Sequence, residues 1–98
     1  MAIQRNYVSV AMLDGTEHQN IPTIVADEML YASTRRRLKW DPPQDDPITF
    51  NNFMGYAALR RSGAFSGSFD DFERAAAKVV LEEGEPVDPT NPAPSNDS

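Results

Sequence analysis

Residues 46–63 read DPITFNNFMGYAALRRSG, and the reading of this stretch decides the fold around it. Asp46 stands where a helix N-cap belongs, and Pro47 fills a first helical position that has no amide partner to lose. Gly63 can adopt the left-handed geometry that ends a helix. Between them Phe50, Phe53, Met54 and Ala57 recur at i, i+3, i+4 and i+7, so one stripe of this helix is expected to be buried.

Downstream, a short GAFSG connection leads to Ser68, whose hydroxyl is placed to cap a further helix, with Asp71 three residues on for a reciprocal bond. Phe69, Phe72, Ala76, Val79 and Val80 continue at helical spacing, which predicts a helix running through Val80 and packing on its neighbour through phenylalanines. Residues 84–98 then carry proline without apolar periodicity and hold acids but no base. That composition cannot bury enough surface to offset ordering, so a disordered, acidic, proline-rich tail is expected there. A domain over 1–83 remains.

Upstream, Pro42 and Pro43 in DPPQDDP forbid helix. Before them Asp27 is expected to cap a helix over EMLYASTRRRLKW that stops near Trp40, with Glu28 early and Arg35, Arg36, Arg37 and Lys39 late, the order that complements the helix dipole. Trp40 either closes the junction to the next helix as a core residue or serves as an anchor for a partner. Residues 4–13 contain Tyr7, Val8 and Val10, and Asp14-Gly15 follows as a tight-turn dipeptide, so a β-hairpin is expected at the start. Its return strand contains Pro22 and belongs at an edge. The fold class is therefore α+β: an N-terminal β-hairpin, about three packed α-helices and the tail.

Net charge is -6, which repels phosphate backbones and argues against general nucleic-acid binding. There is no cysteine for a disulfide framework, and the single histidine, His18, cannot assemble a zinc site alone. No apolar run is long enough to span a bilayer, and the start lacks the regions of a signal peptide, so the cytosol is the expected compartment and no membrane partner is expected. Adjacent carboxylates at Asp45-Asp46, Asp70-Asp71 and Glu82-Glu83 do not converge on one point of a helix or turn. No phosphate loop, nucleophile elbow or metal-spaced ligand set is present. The expectation is a non-catalytic binding domain with no cofactor.

Two groups of residues are candidates for partner contact. Tyr56, Leu59 and Arg60 lie on the flanks of the second helix, off the Phe50/Phe53/Met54/Ala57 stripe, where they either meet a partner helix or pack against the hairpin or first helix. Arg35, Arg36 and Arg37 form a basic run that is either a solvated helix end or a contact to an acidic protein surface.

The order of these features resembles the small tail assembly chaperones of long-tailed, siphovirus-like phages and prophages of actinobacteria. The likeness rests on the DG hairpin, the basic helix end with its tryptophan, AALRRSG, SFDDFE and a tail carrying VDPTNPAP. It implies an assembly factor of the host cytoplasm, absent from the mature virion, that solubilises the tape measure protein and helps recruit tail tube subunits. It also implies a longer form made by ribosomal frameshifting near the end of the short reading frame. Self-association into a homo-oligomer is left open. Two other classes share the small size and lack of catalytic groups: a structural virion component such as a head-to-tail connector, and a small DNA-associated or antitoxin-like regulator reading through RRRLKW.

Overall fold

The computed structural model describes residues 4–86. Six elements follow one another: β1 (Gln4–Met12), β2 (Glu17–Pro22), α1 (Val25–Leu38), α2 (Pro47–Ser62), α3 (Phe69–Ala75) and β3 (Ala76–Pro86). The strands form one antiparallel sheet in the order β2-β1-β3. The α+β class holds, and the hairpin is where the sequence puts it.

The turn forms because Asp14 Oδ1 accepts the Thr16 N–H at 2.9 Å while Gly15 takes φ 94°. On β1, Val8 and Val10 point inward and are buried. They meet Leu81 and Val79 of β3 across the ladder, while Ser9 and Ala11 alternate outward against Val80 and Lys78. The helices cover the inner face only. Among the described residues the outer face stays open, with a hollow of about 370 Å³ lined by small and polar residues such as Ser9, Glu17, Gln19 and Lys78.

Helix α2 runs as expected, with Asp46 accepting from Thr49 N (3.1 Å) and Thr49 Oγ1 (2.7 Å), and with Gly63 left-handed at φ 84°. It lies directly on the sheet at Gly55. A Cβ there would come within 2.8 Å of Val79 Cγ1, so only glycine permits this close approach.

Three boundaries differ from expectation. Helix α1 starts at Val25, two residues before Asp27. The Asp27 carboxylate reaches back to the Ile24 N–H at 3.0 Å, so it satisfies the helix start from inside the first turn instead of capping from outside it. The third helix ends at Ala75, and the residues expected to continue it form β3. The spacing of Phe72, Ala76 and Val79 is compatible with helix, but β1 has backbone groups on its second side to satisfy, and a hairpin alone is marginal. Residues 76–86 supply the third strand, with Val79 and Leu81 inward and Lys78, Val80 and Glu82 outward.

Residues 84–86, expected to open the tail, belong to β3 instead. Gly84 lies under the Tyr7 ring, in a place where any Cβ would collide with it, and the ladder runs to Pro86 opposite Gln4. The remainder of the expected tail, 87–98, lies outside the described residues.

Candidate partner-binding groove

The core is aromatic. Phe53 sits at its centre, with ring centroids 5.1 Å from Phe69, 5.4 Å from Tyr56 and 5.9 Å from Trp40. Tyr56 in turn packs 5.8 Å from Phe72, so α2 and α3 join through their aromatic residues as the two stripes imply. Tyr31 brings α1 onto α2 by an edge-on contact with Phe50 at 5.0 Å. Burial pushes the Tyr31 hydroxyl above its ordinary value, with the Arg35 charge opposing the shift and Asp46 adding to it.

Where the C-terminal half of α1 meets α2 and the start of α3, this packing leaves a groove of about 380 Å³. Its floor is Trp40, Phe53, Tyr56 and Phe69. Its α1 wall carries Leu30 and Leu38, exposed by 43% and 48%, which is more than a core-facing leucine would leave in water. Arg37 and Arg60 stand on the rim with Asp70.

Arg60 is held in place. Its Nη1 donates to Tyr56 Oη at 3.0 Å, and the guanidinium carbon lies 5.8 Å from the centre of the same ring. Tyr56 Oη donates onward to the Gly67 carbonyl at 3.2 Å. The ion pairs among the described residues are Arg61–Asp27 and Arg74–Asp71, so neither Arg37 nor Arg60 has a carboxylate partner there.

Of the six residues singled out by sequence, the groove gathers Arg37, Tyr56 and Arg60. Tyr56 contributes as a buried floor residue, 5% exposed, and not as a protruding contact. Leu59 is fully buried, so of the two outcomes open to it the packed one holds and it is no partner contact. The reason is that α2 is enclosed on several sides: residues 53–59 are all buried, against the sheet below and the neighbouring helices beside. Arg35 is half-buried, with its Nε enclosed and without a protein hydrogen-bond partner. Arg36 is exposed but does not line the groove.

Leu30, Leu38 and Phe69 line it without having been singled out for partner contact. The available signal was the weak amphipathicity of α1, whose sequence places Val25, Met29, Leu30 and Leu38 on surfaces that nothing among the described residues covers. Among the described residues no group of three potential metal ligands gathers, and no helix is long and apolar enough to cross a membrane. No protein-family model, curated protein or solved structure matches the chain.

Proposed function

We propose that this chain is a tail assembly chaperone of a long-tailed phage or prophage, which binds the tape measure protein, keeps it soluble and helps bring tail tube subunits to it. The observation that supports this reading is the groove between α1 and α2. An aromatic floor, leucines left in water and two rim arginines without a carboxylate partner among the described residues, Arg60 held by Tyr56 and Arg37 exposed, suit an amphipathic helix laid along the groove, with its apolar face down and its carboxylates toward the rim. A tape measure protein, long and rich in helical apolar stripes, offers many such segments. The acidity of the chain as a whole, at -6, keeps the complex from associating further while the client is held.

The test is co-expression with the very long tape measure gene expected beside this one. The chaperone should move the client into the soluble fraction, co-purify with it, and be missing from purified particles by mass spectrometry. Recovery of the chain at stoichiometric copy number in virions, with no tape measure binding, would replace this reading with that of a structural connector.

A further inference from the structure

Strand β3 forms one edge of the sheet, and among the described residues no strand pairs with its outer side. The direction of its backbone groups follows from the ladder. The Thr23 N–H donates to the Asn6 carbonyl at 2.9 Å, which turns the groups of Asn6 and Val8 toward β2 and those of Tyr7, Ser9 and Ala11 toward β3. Their partners Glu82, Val80 and Lys78 therefore direct their own groups to β1. Val79 and Leu81 point theirs outward. Asn51 Nδ2, donating to the Val79 carbonyl at 2.9 Å from α2, agrees with this assignment.

We propose that β3 pairs antiparallel with β3 of a second copy of this chain, about a two-fold axis through Val80, joining the two sheets into one of six strands. In this register Lys78 of each copy stands opposite Glu82 of the other, which gives two cross-strand ion pairs on the open face. Val79 and Leu81 exchange hydrogen bonds across the axis, and Val80, which is 37% exposed, meets its own counterpart. The Val79 carbonyl has a second lone pair, so the bond from Asn51 need not be broken.

Neighbouring registers lose this match. An axis through Leu81 sets Lys78 against Gly84 and Val80 against Glu82, and one through Val79 sets Lys78 against Val80. Register shifts at Ala11/Met12 and Gln4/Asn6 confine the regular ladder to the stretch around Lys78–Glu83, which is the part the pairing uses. The free edge also carries an uncovered apolar group. Ile48 of α2 is 72% exposed and lines a hollow of about 520 Å³ together with Ala77 and Val79, where an added strand would cover it. The charge match, the outward backbone groups and the uncovered isoleucine all select a self-complementary, isologous contact.

Sedimentation of the full chain and its charge variants tests the pairing. The chain should sediment as a dimer, and Lys78→Glu, which sets like charges against each other twice, should weaken dimerisation about tenfold or more. The swap Lys78→Glu with Glu82→Lys should restore it, an outcome that simple misfolding of the first variant would not give. Because the chain has no cysteine, Val80→Cys adds a single thiol at a non-hydrogen-bonded pair, where Cα atoms stand about 4.5 Å apart and a disulfide can close. Mild oxidation should convert it to a covalent dimer, while Ser33→Cys on exposed α1 should stay largely monomeric. A chain that sediments as a monomer up to millimolar concentration, or a dimer that Lys78→Glu leaves as tight as before, overturns the proposal.

Discussion

Arg61 grips the carboxylate of Asp27 with two nitrogens, Nε at 3.0 Å from Oδ1 and Nη2 at 3.0 Å from Oδ2, and its Nη2 also donates to the Pro22 carbonyl at 2.6 Å. One side chain on α2 thus ties together the start of α1 and the end of β2. The two partners are unequally placed: Asp27 is 3% exposed, whereas the Arg61 side chain keeps 32% of its surface in water. Removing the arginine strands a carboxylate in the interior, while removing the charge of Asp27 leaves a guanidinium that can turn to solvent. Arg61→Met should therefore cost about 3 kcal/mol, toward the lower end for a broken buried pair because the site is partly hydrated, and Asp27→Asn should cost less. Chemical denaturation of both variants checks the order. Equal losses would mean that the pair behaves as a surface bridge.

The contact between Tyr7 and Gly84 binds the last stretch of the described ladder to β1. Truncation after Pro86 should leave the melting temperature nearly unchanged, because every ladder position among the described residues is retained. Truncation after Glu83 removes the glycine that the ring covers and should lower the melting temperature by several degrees, on the order of 1 kcal/mol for a domain of this size. Gly84→Val tests the same point without shortening the chain, since its side chain must displace the Tyr7 ring.

These boundaries show what was legible in the sequence and what was not. Helix α2 could be read because Asp46, Pro47 and Gly63 act locally, each through its own backbone geometry. The hairpin turn at Asp14-Gly15 was legible for the same reason. Strand β3 was not, because Val79 and Val80 suit either period and the choice is made by β1, some seventy residues earlier, whose unpaired side needs a partner. The groove shows the same division. Tyr56 and Arg60 stand out by their positions off the buried stripe of α2 and Arg37 by the basic run that ends α1, whereas a stripe argument leaves open whether Leu59 packs or meets a partner, and the enclosure of α2 on several sides decides for packing. The exposure of Leu30 and Leu38 depends on where α1 docks, which no local pattern fixes.

Acid should loosen three local caps together. Asp14 is held below the ordinary carboxylate range by the Thr16 N–H and then its hydroxyl, Asp46 by the Thr49 hydroxyl and then its N–H, and Asp71 by the Ser68 N–H and then its hydroxyl. Each is depressed in the folded state, so its contribution is present above an unfolded value of about 3.9 and disappears as pH falls through the lower folded value. Stability should accordingly decline below about pH 4. In Thr49→Val, which removes the first cause of the Asp46 shift, part of that decline should vanish, and an NMR titration of the Asp46 carboxyl should move back toward the ordinary value. An unchanged Asp46 midpoint in that variant would show that the hydroxyl bond does not persist in solution.

The groove can be tested apart from the fold, because its leucines are exposed while its floor is not. Leu30→Asp and Leu38→Asp place charges on a surface already in water, so each should change stability by no more than about 1 kcal/mol. Tyr56→Ala, by contrast, opens the aromatic core and should cost about 3 kcal/mol or more. If the groove receives an apolar helix face, either aspartate should abolish capture of the tape measure protein by a chain that still melts normally. Salt then separates the two contributions. At about 0.5 M the screening length falls to only a few Å, which weakens the exposed rim pairs of Arg37 and Arg60 but leaves apolar burial intact. Capture by the unaltered chain should therefore persist with modest loss, and Arg60→Ala should lower capture at low salt more than at high salt. Complete loss of capture by the unaltered chain at that salt, with Leu30→Asp binding as well as the parent at low salt, would mean that the basic end of α1 carries the contact and that the groove is not the client site.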